Sequence, residues 1–560
     1  MVNWKSRKLG DVLWLGNAIV AIVLINVLAA ANFLRLDLTE EKRYTIKPQT
    51  RDLLASLEEE VFVEVFLEGE LNAGFRRLRK NIEETLEEFR IYSGNKVKYS
   101  FTDPATAMGE KARNEYMADL ARKGIQPTNV VGKENGQRVE KIIFPGAVIS
   151  YAGFETGVML LKGNTARSSE ERINQSIEGA EFELANAIYK MANADRKRVG
   201  FIQGHGELDS LAVAGLTNEL LEFYDVFKVD LNRRQDLKTY DVLIAAKPTQ
   251  PYSAVEKFRL DQFIMNGGKV MFLIDKLEAS MDSASQENYF AFPYNSNLDD
   301  QLFKYGVRIN LNLVQDQQAA LYPVITGQTG GKPQMQLLDW PFFPLLSNYP
   351  DHPITRNLDA LSAKFVSSID TVKAPGVRKT PLLMTSQYSR LVGAPVNISV
   401  NELRQNDKSD FTMQGIPVAY LLEGKFSSLF KNRFLPPGAD SSSFRDEGIE
   451  TKMIVVADGD IARNEINMRT RQPQALGFDP FTNYTFANRD FLLNAMAYLT
   501  SEDGLIQTRS KEVKIRPLDR QRINDEKTYW QVINIALPIV IMIVYGVIHA
   551  FMRRRKYASY

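Results

Sequence analysis

Two uncharged hydrophobic runs, one near each end of the chain, limit its architecture more than anything between them. They are 12–34 ("VLWLGNAIVAIVLINVLAAANFL") and 532–552 ("VINIALPIVIMIVYGVIHAFM"). A helix rising ~1.5 Å per residue needs roughly 20 residues to cross a ~30 Å hydrocarbon layer, so each run is long enough. Lys5, Arg7 and Lys8 precede the first, and Arg553, Arg554, Arg555 and Lys556 follow the second. Cations beside a spanning helix stay on the cytoplasmic side, so both termini are expected inside. The outer ends carry Asp37, Glu40 and Glu41 on one side, and the interfacial aromatics Tyr529 and Trp530 on the other. The expected topology is in–out–in, with nearly all of the chain outside the cytoplasm. A competing reading makes the first run a cleaved secretory signal, with Ala29, Ala30 and Ala31 as the small-residue site. The run exceeds the ~7–15 apolar residues usual for such signals, which favours a retained helix. Cleavage would leave the second helix as sole anchor.

Roughly 500 residues lie between the runs, enough for two or three domains. Hydrophobic content of 44% and 24% charged residues are globular values, and a net charge of +1 gives no reason to expect nucleic acid. With no cysteine, thiol nucleophiles, redox pairs and cysteine metal sites are excluded. Three histidines, His205, His352 and His549, leave at most one histidine base in any one place and no multi-histidine metal site. No metal or cofactor is expected.

Along the outside portion, 61–67 reads as a strand and 75–92 as a helix with Phe75, Leu78, Ile82, Leu86 and Phe89 on one face. Strand 96–101, helix 110–123 and strands 127–131, 141–151 and 158–162 complete a β-α-β-α-β-β order, that of a thioredoxin-like domain (35–192) without the cysteines its chemistry needs. A helix over 168–191 leads into a second unit. There strands 198–203, 225–231, 241–247 and 269–275 alternate with helices 210–223 and 253–266, which predicts an open, mostly parallel α/β sheet of Rossmann or amidotransferase type (193–505). The strand and acidic turn 452–460 and the helix 488–500 close it from far along the chain. The stretch 281–450 reads as an insertion, with strands near 381–385 and 417–422 and a tip near 325–335. A connector (506–531), the second membrane run and a basic tail (553–560) follow the short cytoplasmic start (1–11).

Open α/β sheets take ligands beyond the C-terminal ends of their strands. By that rule Gly204, His205, Gly206, Glu207, Asp275, Asp458 and Asp460 share a crevice. One reading is acid–base chemistry by a His–carboxylate pair, or weak cation binding. The other gives the glycines to a tight turn and the polar side chains to helix caps. No nucleophile is offered, since "GHGE" is not a GxSxG elbow. No GxxxxGK[ST] loop is present, and "NGGK" at 266–269 joins a helix to a strand, the reverse of a phosphate loop. A catalytic role is therefore not expected.

In the second membrane run Asn534, Pro538, Tyr545 and His549 fall within roughly a 60° arc at ~100° per residue. Polar groups facing lipid are costly, so this arc should face another helix. Gly16, Asn17, Ala18 and Ala21 give the first run a small, polar inner end suited to close packing.

The stretch 34–67, "LRLDLTEEKRYTIKPQTRDLLASLEEEVFVEVFL", resembles the start of gliding-motility-associated ABC transporter auxiliary proteins, the GldG-like family. The pattern is R-x-DLT-x-x-KRYT-(L/I)-x-x-x-T. "GHGE" (204–207) and "VVADGD…NRDFLLNAMAYL" (455–499) extend the resemblance over nearly the whole chain. It implies a non-catalytic, substrate-binding-like subunit in a Gram-negative inner membrane with a periplasmic body. Such a subunit works with a multi-spanning permease, a separate cytoplasmic ATPase and a possible envelope partner. Its alternatives are a periplasmic hydrolase built on His205, Glu207 and Asp458, or a ligand-binding domain using the same crevice.

Overall fold

The computed structural model describes residues 7–31, 45–104, 109–134, 137–162, 168–192, 196–234, 236–281, 289–329, 332–399, 408–439, 444–500 and 520–557. The chain is mixed α/β. Helix α1 (Arg7–Ala31) carries the first hydrophobic run, of which Leu13–Leu24 is the apolar stretch with described side chains. Residues 32–44, which include Asp37, Glu40 and Glu41 and the whole of "DLTEEKRY", lie outside the described residues. Within α1, Asn26 meets its need for a partner locally, its Nδ2 donating to the Ile22 carbonyl at 3.0 Å.

The chain then forms α2 (Pro48–Ser56), β1 (Val61–Val65), α3 (Ala73–Tyr92), β2 (Val97–Phe101), α4 (Glu110–Arg122), a separate hairpin β3 (Thr128–Glu134) and β4 (Gln137–Ile143), then β5 (Gly146–Tyr151), β6 (Phe154–Met159) and α5 (Ser169–Ala192). The four-stranded sheet runs β2-β1-β5-β6, with β1 parallel to β2 and antiparallel to β5. Period-two alternation buries Val61, Val63 and Val65 on one face of β1. Against them α3 lays Phe75, Leu78, Ile82, Leu86 and Phe89, all buried. The Asn72 side chain caps α3 by accepting from the Phe75 N–H at 3.0 Å. The span 141–151, continuous in the sequence reading, is broken at Phe144–Pro145. Pro145 lacks an N–H for the ladder, and a Cβ at Gly146 would stand 2.6 Å from Ile125 Cγ2 and 2.7 Å from the Val158 carbonyl.

The second sheet is built on β7 (Arg198–Gln203), β8 (Asp225–Asp230), β9 (Val242–Ala246) and β10 (Lys269–Leu273), with helices α6 (Ala214–Leu221) and α7 (Ala254–Met265) between them. Its strands run Val377–Met384, Pro417–Ser427, Glu447–Val456, β10, β9, β7, β8. The last five are mutually parallel, and the first two add antiparallel. Every residue of β9 is buried, as expected of a parallel strand covered on both faces. Two strands from within 281–450 thus extend the sheet itself. The rest of that stretch includes the long hairpin Ala319–Thr329 and Lys332–Leu346, whose register runs to Thr329 opposite Lys332.

The C-terminal helix Arg520–Tyr557 forms a unit of its own. Its stretch Glu526–Arg555, 30 residues, is long and apolar enough to cross a membrane.

The start of α2 shows what the later half of the "KRYTIKPQT" motif does. The Ile46 N–H donates to Glu88 Oε2 at 3.0 Å. The Lys47 N–H and the Thr50 hydroxyl donate to Glu181 Oε1 at 2.7 and 2.9 Å. Pro48 supplies the preset first turn, and the two carboxylates come from α3 and α5, helices packed on the sheet. Glu181→Ala leaves these buried donors without an acceptor and should lower stability by about 1–3 kcal/mol, read as a fall in the unfolding midpoint.

Candidate functional site

The parallel strands of the second sheet deliver their C-terminal ends to one edge, and the sequence-predicted crevice residues divide there into two constellations. After β7 the chain turns through Gly204 and Gly206, with φ of 120° and 71°. A Cβ on Gly206 would stand 2.2 Å from Thr249 Oγ1, so only glycine fits this turn. His205 is thereby tucked inward, 4% exposed. Its Nδ1 lies 3.1 Å from Glu207 Oε1 and its Nε2 3.0 Å from Glu256 Oε1. Tyr252 stacks on the ring, centroids 3.6 Å apart and planes 7° from parallel, and its hydroxyl donates to Glu207 Oε1 at 3.1 Å. The His205 carbonyl accepts from the N–H groups of Thr249 and Gln250 at 2.9 and 2.8 Å. Glu256 also closes a capping box with Ser253 at the start of α7.

Burial works against a charged imidazole here, but the bonds to Glu207 and then Glu256 outweigh it, and the His205 pKa moves up. For Glu256 burial pushes upward, while bonds from Ser253 and His205 prevail and hold the carboxyl low. With both ring nitrogens occupied by carboxylates, His205 has no nitrogen facing a substrate proton. It fastens the β7 turn to α7.

The second constellation joins the ends of β9, β10 and Glu447–Val456. Lys247, at φ 58° just after β9, places its ammonium 2.7 Å from Asp275 Oδ2 and 2.7 Å from Asp460 Oδ2. Asp275 also accepts from the Gly459 N–H. Arg463 Nε donates to Asp460 Oδ1 at 2.6 Å. Asp458, fully buried, accepts from the backbone N–H groups of Lys364 at 2.9 Å and Asp460 at 2.8 Å. Burial raises Asp275 to about 6, against the pull of Lys247. Burial, reinforced by the negative charges of Asp275 and Asp460, raises Asp458 well above the carboxylate range. Asp460 moves down: burial opposes this, but Lys247 and Arg463 dominate. Lys247 moves up, its two carboxylate partners overcoming burial. An ammonium thus sits where a cation ligand set would need a vacancy, and among the described residues no group of three or more His, Cys, Asp or Glu is arranged to hold a metal.

Of the three residues a hydrolase reading requires, His205 and Glu207 meet, while Asp458 is turned into the backbone of 364 and 460. Lys247, Tyr252 and Glu256 were not singled out from sequence. A Ser-x-x-Glu pattern at 253–256 was the available signal for Glu256. Nothing local marks Lys247, whose partners lie in distant sequence.

In the C-terminal helix Asn534, Pro538, Tyr545 and His549 are all exposed, and the rings of Tyr545 and His549 lie 6.1 Å apart and 24° from parallel on one face. In α1, Gly16, Asn17 and Ala21 are exposed, and nothing stands within 4 Å of a Cβ placed on Gly16.

The family model described as an ABC-type uncharacterized transport system matches 196–495, more than half of the chain and all of the site-bearing sheet. The chain belongs to this family of ABC transport auxiliary proteins. Its role is therefore accessory, in an ABC-type transport system, and membrane association follows from that membership together with the apolar C-terminal helix. A second model, for a domain of unknown function, matches 40–150. An uncharacterized protein of Borreliella burgdorferi is 24% identical over 447 residues, covering 77% of this chain and 80% of that one. Among solved structures, the mmIFT52 N-terminal domain is similar at 13% identity and a TM-score of 0.31, over 55% of this chain and 98% of that one.

The two buried histidines should titrate with opposite sign. His352, held to about 4 by burial, accepts the Ile354 N–H at its Nδ1, 3.2 Å away, so the folded protein favours the neutral ring. Its stabilising contribution is present above the unfolded histidine pKa of ~6.5 and is lost as pH falls toward 4. The His205 contribution is complete below ~6.5 and fades as pH rises through its raised folded value. In chemical denaturation from pH 5 to 9, His205→Gln should cost most at the acid end. His352→Asn should flatten the acid-side loss of the parent.

Proposed function

We propose that this chain is a non-catalytic, membrane-anchored accessory subunit of an ABC-type complex that acts in gliding motility. It binds a separate multi-spanning permease through its terminal helices, and through that permease a cytoplasmic ATPase. The body between the helices is periplasmic, with a thioredoxin-like domain (35–192) followed by an open Rossmann- or amidotransferase-like domain (193–505), and both termini are cytoplasmic. The strand order β2-β1-β5-β6 supports the first assignment, and the five parallel strands support the second. The body contacts an envelope partner or ligand, or relays motion from the permease. A mechanical role requires that ATP-driven permease states bind this subunit with different affinity, since only differential binding shifts an equilibrium.

The observation that carries the partner assignment is the face of Asn534, Pro538, Tyr545 and His549 on an otherwise apolar helix. In hydrocarbon these groups are stabilised by another helix, and lipid offers them nothing. Family membership in an auxiliary transport component supports the same reading. The occupied nitrogens of His205 favour it over the hydrolase alternative, since general-base chemistry needs a nitrogen within reach of the substrate proton.

The test is purification of the tagged chain from its native membrane in mild detergent. The parent should bring down a permease and an ATPase in fixed ratio, and Asn534→Leu with Tyr545→Leu should lose both while the body keeps its unfolding midpoint. Recovery of the parent chain alone would sink the proposal. For topology, protease added to spheroplasts should digest the body while a tag at either terminus stays protected. A tag cleaved from outside would overturn the in–out–in arrangement.

A further inference from the structure

A cavity of about 430 Å³ lies at the opposite end of the seven-stranded sheet from the crevice, among the N-terminal ends of β9 and β10. Its size is within the ~300–1,000 Å³ range of small-molecule sites. The "NGGK" turn at 266–269, which the accessory function leaves unexplained, forms part of its wall. Tyr240, Phe258 and Phe263, all buried, line it as well.

Two polar groups at this cavity lack partners among the described residues, and a third, Arg259, uses only one of its nitrogens. Tyr240 is 4% exposed, and its hydroxyl is buried without a hydrogen bond. Arg259 donates from Nη1 to the carbonyls of Leu231 and Asn232, which fixes its guanidinium plane, and no bond is made by its Nε or Nη2 among the described residues. The Lys238 ammonium likewise has no acceptor among the described residues. Of the two acids that line the cavity, Asp241 is turned to the start of β7 and Asp236 to the backbone of its own turn. Asp241 accepts from the Arg198 N–H at 2.8 Å with Lys197 Nζ 3.6 Å away, and Asp236 accepts from the Lys238 N–H at 2.9 Å. What remains is a chamber of mixed polar and aromatic walls, with the Lys238 ammonium, the open Nε/Nη2 edge of Arg259 and an unsatisfied phenol.

We propose that this cavity binds a small organic anion. Its apolar body lies against Tyr240, Phe258 and Phe263. Its single carboxylate or phosphate head takes the planar fork of Arg259 and the Lys238 ammonium. A fixed guanidinium favours a two-oxygen head over a neutral one, because only the anion can accept two parallel N–H bonds. The site is independent of the membrane-helix face, so the accessory reading can stand or fall without it.

The experiment is equilibrium titration of the full chain in detergent with 3-phenylpropionate and with phenyl phosphate, each against neutral 3-phenylpropanol, by calorimetry. One or both anions should saturate at one site per chain, and the alcohol should bind at least about tenfold more weakly. The preferred head distinguishes a carboxylate from a phosphate ligand. Lys238→Gln changes only an exposed side chain and should weaken the anion at least about threefold, and Arg259→Gln at least about tenfold. Should Arg259→Gln fail to fold, Lys238→Gln and the alcohol comparison decide the matter. No saturable binding, equal binding of the alcohol, or an affinity unchanged in Lys238→Gln would overturn the proposal.

Discussion

One ammonium group organises the edge of the large sheet. Lys247 reaches from the end of β9 to carboxylates at the end of β10 and just past Glu447–Val456, tying three neighbouring strands where their ladders stop. Burying charge costs several kcal/mol per ion unless it is paired with good geometry, and here the pairing is tight on both sides. The arrangement carries more acid than base. Burial and mutual repulsion raise Asp458 and Asp275, so each holds a proton more readily than a free carboxylate does. Removing Lys247 alone would take a cation from both Asp275 and Asp460 in a dry pocket, leaving Arg463 on Asp460 only.

The same edge explains why residues that read as chemistry act as fasteners. The turn after β7 needs glycine at 206 because Thr249 crosses close above it, and that crossing aims His205 at Glu256. Glutamates on both sides and a stacked tyrosine satisfy the ring completely. Both ring nitrogens of His205 lie within 3.1 Å of carboxylate oxygens, so the turn after β7 and the start of α7 are tied through one side chain.

Local patterns were legible, and so was one distant closure, the strand ahead of the acidic turn 458–460 that pairs with β10; other long-range pairings were not. The α3 stripe from Phe75 to Phe89 is a periodicity problem, and all five residues are buried as the spacing requires. The strand expected at 198–203 has those bounds, and those expected at 241–247 and 269–275 run slightly shorter, as Val242–Ala246 and Lys269–Leu273. The joining of Pro417–Ser427 and Val377–Met384 to the sheet was hidden, because it depends on partners across the fold and leaves no local mark. Lys247 was hidden for the same reason: its partner Asp460 lies 213 residues away. The break at Phe144–Pro145 could have been read from the proline, but apolar residues on both sides made one strand look continuous. The cavity beneath "NGGK" was invisible, since its walls come from a loop, a helix and residues 438–439 that no spacing brings together.

The clamp on α2 has a mechanical meaning. Any pull on the chain ahead of this point meets the bonds of Ile46, Lys47 and Thr50. Those residues are held by carboxylates on two different helices rather than by one strand edge. Three donors within five residues give way together, as a button does, and not one after another as a zipper does. Glu181 sits on α5, which also packs on β5 and β6, so the helix that covers the first sheet is the one that holds the start of α2.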